Sequence, residues 1–159
     1  MMPRFNLCKY QIEGFSEIGK WFNRTLPPAT CITTFANGAL SYYSKCPTID
    51  ILRLTDEHIA RRGKRIKNGV PGHLLYDYCY LALRKPSIVI FSEGQGFGAD
   101  PSFNVFRPEF SDSYDPVSFK FWAGKNPLGQ YVNFLVLCSE KDKIVRRLES
   151  MTGVEQVKR

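Results

Sequence analysis

Apolar residues recur with one period before Pro86 and with another after it. Before Pro86, the spacing of Ile18 and Phe22 predicts a helix that begins at Ser16 as N-cap and ends ahead of Pro27. After Pro86, apolar and polar residues alternate, which predicts strands. The gaps between these strands are too short for crossover helices, so we expect antiparallel pairing. The four strands are 87–94, 102–110, 117–124 and 131–139.

The segment between the first helix and Pro86 carries turn and capping signals. Asn37 and Gly38 separate two runs of β-prone residues and predict a hairpin, because a type I′ turn needs positive φ at both positions. Residues 48–54 read as a further strand. Two helices are expected next, the first with Thr55 as N-cap and the second opened by Pro71; they cover 56–67 and 71–85.

These elements predict an α+β fold, with a curved antiparallel β-sheet of four or more strands and helices packed on one face. We expect a single domain over 1–159. Residues 1–48 form its N-terminal helix and hairpin, and residues 49–151 form the helix pair, the antiparallel sheet and a C-terminal helix. The core-facing strand positions are Phe103, Val105, Phe119, Phe121, Phe134 and Val136.

Composition narrows the partners. The formal net charge of +7 favours a partner rich in negative charge, which is nucleic acid (RNA rather than DNA) or an acidic protein. No apolar run is long enough to span a membrane. Five scattered cysteines and the absence of a secretory signal predict reduced thiols in the cytoplasm. No spacing predicts a metal site, and we expect no cofactor.

The stretch "HIARRGKR" at 58–65 carries the main candidate chemistry. An imidazole with an ordinary pKa near 6.5 exchanges protons at neutral pH, and guanidinium groups match phosphate oxygens. We therefore expect His58 to act as general acid or base, with basic neighbours that bind phosphate. The predicted helix brings onto one arc of about 100° His58, Arg61, Arg62 and Arg65. The expected nucleic-acid-binding residues here are Arg61, Arg62, Lys64, Arg65 and Lys67.

A second candidate surface lies on the strand "FKFWAGK" at 119–125. Lys120 and Trp122 share the face opposite Phe119, and Lys125 follows the strand. Lysine beside an exposed aromatic ring is typical of proteins that bind single-stranded nucleic acid. We expect Trp122 and Lys125 to contact the nucleic acid.

From about residue 49 to residue 151, the order of parts resembles the barnase/EndoU/colicin/RelE-like class of small toxin nucleases. The matching segments are "IDILRL", "LTDEHIARR", "LRKPSIVIF", "SFNVF", "FKFW" and "YVNFLVLCS". The resemblance implies RNA cleavage without a metal. It also implies catalytic groups on the helical part and on the last strands, which makes Lys120 and Ser139 candidates beside His58.

The leading hypothesis is thus a metal-independent ribonuclease of toxin or phage type. One alternative is a non-enzymatic inhibitor or binding module, encoded by a virus or mobile element, that uses its basic face to cover nucleic acid or an acidic protein. A third alternative is an enzyme like the ADP-ribosyltransferases, which also have small mixed cores.

Overall fold

Helices and strands alternate along most of the chain. The computed structural model describes residues 4–35, 37–52, 54–65, 75–90, 96–97, 108–121, 130–152 and 154–157. The α-helices in these ranges are α1 (Arg4–Thr25), α2 (Ala39–Ser44), α3 (Glu57–Arg62), α4 (Tyr78–Leu83) and α5 (Lys141–Glu149). Short 3-10 helices cover Pro108–Phe110 and Cys138–Glu140. The strands are β1 (Ile32–Thr34), β2 (Thr48–Asp50), β3 (Lys64–Arg65), β4 (Leu75–Tyr76), β5 (Ile88–Ile90), β6 (Gly96–Phe97), β7 (Tyr114–Phe121), β8 (Gln130–Leu137) and β9 (Val154–Gln156).

Seven of these strands form one mixed sheet in the order β2-β1-β5-β8-β7-β9, with β6 also paired to β8. Strands β2, β1 and β5 are parallel to one another. The remaining pairs, β5 with β8, β8 with β7 and β7 with β9, are antiparallel. The fold is therefore α+β, as the sequence predicts. Strands β5, β7 and β8 lie in expected strands, and the parallel pairing of β5 with β1 makes the sheet mixed where the sequence predicts an antiparallel one.

Two apolar layers cover the two faces of this sheet. Helices α1 and α5 pack on one face, where they bury a cluster that includes Ile18, Trp21, Phe22, Phe119, Phe134, Ile144 and Leu148. The sequence predicts helices on one face of the sheet only. In the structure, α3, α4 and the first 3-10 helix cover the other face as well, with Ile59, Leu81, Val89, Phe110, Tyr114 and Leu135.

Trp21 ties α1 to both the sheet and α5. Its indole N–H donates to the carbonyl oxygen of Leu148 at 3.0 Å, and its ring meets Phe119 edge-on at 5.3 Å between centroids. The buried indole therefore has a polar partner as well as apolar neighbours, which is the arrangement that a tryptophan needs inside a core.

The hairpin predicted at Asn37 and Gly38 is wrong. The strands on either side, β1 and β2, are parallel and are joined through α2. Helix α2 buries Leu40 and packs closely on α1, since a Cβ at Gly19 would lie 2.8 Å from the Leu40 carbonyl oxygen. Tertiary packing of α2 on α1 overrides the local turn signal.

The first helix is longer than its capping signal indicates. It begins at Arg4, so Ser16 lies inside it, where its hydroxyl donates to the carbonyl of Ile12 at 2.7 Å. Serine bonds to a preceding turn in this way when it sits within a helix. The helix ends at Thr25, before Pro27, as predicted.

Of the predicted strands, 87–94, 117–124 and 131–139 contain β5, β7 and β8, and the strand predicted from residue 48 ends already at Asp50. The strand predicted over 102–110 is wrong at its end, where Pro108–Phe110 form a 3-10 helix, and its first six residues lie outside the described ranges. The alternation on β7 is confirmed, because Phe119 is fully buried and Lys120 is half-buried. Phe134 and Val136 are also buried. The side chains of Phe103, Val105 and Phe121 lie outside the described part of the chain. No helix in the described ranges is long and apolar enough to cross a membrane.

Candidate functional site

The turn from β2 into α3 is held by a buried carboxylate. Asp50 is 1% exposed, and its two oxygens accept the backbone N–H groups of Leu52 and Thr55, each at 2.8 Å. Asp56 then caps α3 by accepting the N–H of Ile59 at 2.9 Å. The N-cap is thus Asp56 and not the predicted Thr55, because the Asp56 carboxylate is the side chain that accepts an amide of the first turn.

Helix α4 begins in the same way beside α3. Asp77 accepts the N–H of Tyr80 at 3.0 Å, which satisfies one of the free amide groups of the first turn. Leu81 on α4 and Ile59 on α3 are fully buried in one apolar cluster. These buried anchors set the first turns of the two short helices next to each other.

His58 lies between the two helix starts. Its Nε2 is 3.2 Å from Oδ2 of Asp77, and its ring stacks on Tyr80 with 3.9 Å between centroids and 12° between planes. The His58 side chain remains 33% exposed. The imidazole is therefore fixed by a carboxylate and an aromatic ring while it stays open to solvent. We call the set His58, Asp77, Tyr80, Asp56 and Arg84 the His58 cluster.

Tyr80 links the cluster to a second carboxylate. Its hydroxyl donates to Oδ2 of Asp56 at 3.2 Å and accepts from the guanidinium of Arg84 at 3.3 Å. Burial, together with the negative charge of Asp56, raises the pKa of Tyr80 above its ordinary value, although Arg84 opposes the shift. The phenol therefore keeps its proton at neutral pH and can donate to Asp56.

The charge of Asp77 decides the roles of the imidazole nitrogens. Burial acts to raise the pKa of Asp77, but the Tyr80 amide, the His58 side chain and the charge of Lys64 together lower it below its ordinary value. An ionised carboxylate only accepts hydrogen bonds, so Nε2 of His58 is its donor. In the neutral imidazole, Nδ1 is then the nitrogen able to accept a proton.

The basic residues predicted around His58 do not all lie on one helix. Helix α3 ends at Arg62, where a Cβ on Gly63 would come within 2.5 Å of the Ile59 carbonyl oxygen. Arg65 therefore lies on β3, which pairs antiparallel with β4, and the predicted helix over 56–67 is too long. The second predicted helix, over 71–85, is likewise reduced to α4, because residues 75–76 form β4.

Those that the structure describes are nevertheless exposed, on the helix that carries His58 and on the strand that follows it. The exposed cationic side chains on α3 and β3 are Arg61, Arg62, Lys64 and Arg65. Arg61 pairs with Glu57 at 2.9 Å, one turn earlier. Arg84, which the sequence analysis missed, adds a guanidinium from α4. Lys67 lies outside the described residues.

Lys120 and Ser139 are not brought into the His58 cluster. Ser139 is exposed and follows β8, beside Ser87 at the amino end of β5, whereas α3 starts from the carboxyl end of β2. Ser139 and His58 thus lie at opposite ends of the sheet strands. Lys120 lies at the same end of the strands as α3, but four strand spacings, about 19 Å, separate β7 from β2. Trp122 and Lys125 lie outside the described residues.

Asp77 and Tyr80 are functional candidates that the sequence analysis did not find. Aspartate is a preferred N-cap residue, but the expected helix over 71–85 placed both residues in its interior. Among the described residues, no group of three or more metal-ligating side chains occurs.

A crevice of about 440 Å³ opens at the carboxyl ends of β1 and β2. Its polar groups are Asn37 and Thr55, and Thr55 directly precedes the α3 cap. Its apolar lining consists of Ile12, Phe15, Phe35, Ala39 and Leu54. In sheets with parallel strands, ligands commonly bind at this end.

No curated protein and no solved structure matches the chain. One family model does, over residues 6–141, and its description is "Domain of unknown function (DUF8728)". The match includes β1 to β8 and the whole His58 cluster. The chain belongs to the DUF8728 family.

Proposed function

We propose that this protein cleaves RNA without a metal ion, with His58 as the general base. The observation that carries the proposal is the His58–Asp77 pair, 3.2 Å apart at the solvent-exposed start of α3. A carboxylate that accepts from one imidazole nitrogen orients the ring and leaves the other nitrogen to take a proton. Such a pair supports general acid–base chemistry.

In the proposed reaction, Nδ1 of His58 takes the proton of a ribose 2′-hydroxyl. The 2′-oxygen forms a bond to the adjacent phosphorus, and the bond from phosphorus to the 5′-oxygen breaks. The leaving 5′-oxygen takes a proton from water, so the products carry a 2′,3′-cyclic phosphate and a 5′-hydroxyl. The histidinium then returns its proton to solvent.

Positive charge near the pair supports a phosphate substrate. The charge of Lys64 acts on Asp77, and Arg84 reaches the hydroxyl of Tyr80, so one cation borders the His58 cluster and the other belongs to it. Fixed cations stabilise the extra negative charge of a pentavalent phosphate. Arg61, Arg62 and Arg65 on the adjoining surface would bind neighbouring phosphates of the strand.

The test is incubation of the purified protein with total RNA in EDTA, followed by separation of the fragments. We expect discrete fragments ending in cyclic phosphate. His58→Ala should lower the cleavage rate by about 10²–10⁴-fold. Asp77→Asn should lower it as well, because a neutral amide no longer requires Nε2 to be the donor. Asp142→Asn, a change in an exposed acid on α5, is the control and should cleave normally. Equal rates for His58→Ala and the wild type would refute the proposal.

A non-catalytic RNA-binding module is the second candidate, and one observation favours it. Asp77 and Asp56 already cap α4 and α3, so the bond from His58 to Asp77 also joins the two helices mechanically. In that case RNA binds the basic surface but is not cut. Binding without fragments in the same experiment, with loss of stability in His58→Ala, would select this candidate.

We propose a cytoplasmic location, since the proposed substrate is RNA. Cys31, Cys46, Cys79 and Cys138 are free thiols in the structure, which suits a reducing compartment. Burial raises the pKa of the Cys31 and Cys46 thiols, which keeps both protonated and unreactive at neutral pH.

A further inference from the structure

We propose that the crevice at the carboxyl ends of β1 and β2 holds a nucleobase of the RNA whose phosphates contact the basic surface. This inference rests on the proposed function, since it names the part of the same substrate that lies next to the His58 cluster. It assigns base preference to the crevice residues Phe15, Phe35, Asn37, Leu54 and Thr55.

The walls of the crevice suit a flat ring. Phe15 and Phe35 meet edge to face, with 5.5 Å between centroids and 84° between planes. Ile12 and Leu54 line the opening and are 60% and 57% exposed. Large apolar side chains that stay open to water around one concavity mark a binding site more often than scattered exposure does.

The polar rim is already oriented. The Asn37 amide N–H₂ donates to the Thr55 hydroxyl oxygen, and the Asn37 carbonyl oxygen accepts from Ser41 at 2.7 Å. The Thr55 hydroxyl therefore has its own proton to donate, and the Asn37 oxygen has a second lone pair. One fixed donor and one fixed acceptor beside an apolar slot are what the edge of an unpaired base requires.

The crevice is within reach of the cleavage site along one strand. Thr55 precedes His58 by three residues, so their Cα atoms are at most about 11 Å apart. A base held against Phe35 would leave its phosphate near the start of α3, and the next phosphates of a strand that follows the helix would reach Arg61 and Arg62 in its last turn. Charge complementarity therefore favours a nucleotide over an uncharged apolar ligand.

The experiment titrates the four nucleoside 3′-monophosphates into the protein and measures affinity by calorimetry. Leu54→Glu places a charged group at the mouth of the crevice, and we expect binding to weaken about tenfold, in the range of one lost base-stacking contact. Thr55→Val keeps the shape but removes the hydroxyl, so it should reduce the difference in affinity among the four bases. Leu83→Glu on α4 is the matched control, because Leu83 is 81% exposed and lies outside the crevice.

The outcomes separate this inference from the proposed function. If Leu54→Glu and Leu83→Glu bind the nucleotides as tightly as the wild type, or if no nucleotide binds, the crevice is not a base site. RNA cleavage in EDTA does not depend on that result, so the proposed function would stand. If nucleotides bind in the crevice but RNA is never cut, the base site stands and the catalytic proposal fails. Circular dichroism of each variant checks that it is folded.

Discussion

The imidazole of His58 lies flat against the phenol ring of Tyr80, with 3.9 Å between their centroids and 12° between their planes. The two residues are 22 positions apart and belong to different helices. Tyr80 in turn hydrogen-bonds to Asp56, and His58 to Asp77, so each helix cap contacts a residue of the other helix. The pair thus joins α3 to α4 at the point where the proposed base is presented to solvent.

Tyr80→Phe should distinguish the contribution of the Tyr80 hydroxyl from that of its ring. The variant keeps the stacking on His58 but loses the bonds to Asp56 and Arg84, so we expect a loss of about 1 kcal/mol in the free energy of unfolding and little change in cleavage. Tyr80→Leu removes the stack and should lower the cleavage rate more strongly. Urea unfolding and RNA cleavage measure the two effects.

The NMR signals of the His58 ring report on the stack directly. An aromatic ring 3.9 Å away shifts the imidazole proton resonances upfield in the wild type and in Tyr80→Phe. Tyr80→Leu should lose that shift. An unchanged His58 spectrum in Tyr80→Leu would show that the stack does not position the base.

Asp77 should make stability depend on acid pH. The pKa of Asp77 is lowered in the folded state, so its ionised form contributes stability that is complete above the ordinary carboxyl pKa, near 4. That contribution is lost as pH falls through the lower folded-state pKa. We therefore expect the difference in unfolding free energy between the wild type and Asp77→Asn to shrink between pH 5 and pH 3. Urea unfolding at both values tests this, and a difference that stays constant would contradict it.

The salt dependence of RNA binding should locate the basic surface. Each lost phosphate contact on single-stranded RNA lowers the slope of log K against log salt by about 0.7. The double variant Arg62→Ala, Arg65→Ala should thus lower the slope by about 1.4, as measured by fluorescence titration from low to physiological salt.

A matched double variant on α5, Arg146→Ala with Arg147→Ala, controls for net charge. Both residues are exposed and lie on a helix that packs on the other face of the sheet. Its slope should equal that of the wild type. An equal fall in slope for the two doubles would mean that RNA follows total charge and not the α3–β3 surface.

Substitutions of two neighbouring residues test which face of β7 lies in the core. Phe119→Asp would bury an unpaired charge between Trp21 and Phe134, at a cost of several kcal/mol against a typical total of about 5–15. The protein should unfold or precipitate. Lys120→Asp should stay folded, with a smaller loss because the new carboxylate faces Glu155 across the strand pair. Circular dichroism distinguishes the two, and equal folding would refute the assignment of faces.

Local signals in the sequence determined several features of the fold. A proline has no N–H to continue a helix, which ends α1 before Pro27. A strand turns successive side chains to opposite faces, so alternation alone placed Phe119 in the core and Lys120 on the other face. Both signals act between residues near one another in the chain, and for that reason a single sequence suffices to read them.

Local signals did not predict the parallel pairing of β1 with β2 and β5. Asn37 and Gly38 favour a hairpin locally, but the contact of α2 with α1 at Gly19 holds a helix in that place. The sequence analysis did not predict β9 for a similar reason: Val154 of β9 pairs with Phe121, which lies 33 residues earlier in the chain. Such pairings depend on which distant surfaces can be buried together, and no local pattern encodes them.

In the candidate site, too, the sequence determined some features and the tertiary structure determined others. The sequence identified His58 by its chemistry and its basic neighbours, and the ribonuclease that we infer from them stays a prediction. Only the tertiary structure brought Asp77 and Tyr80 to His58. Only the tertiary structure separated Ser139 from them, at the opposite end of the sheet strands. The physical reason is that residue type determines what a side chain can do, whereas its partners depend on how Ile59 and Leu81 are buried to set α3 beside α4.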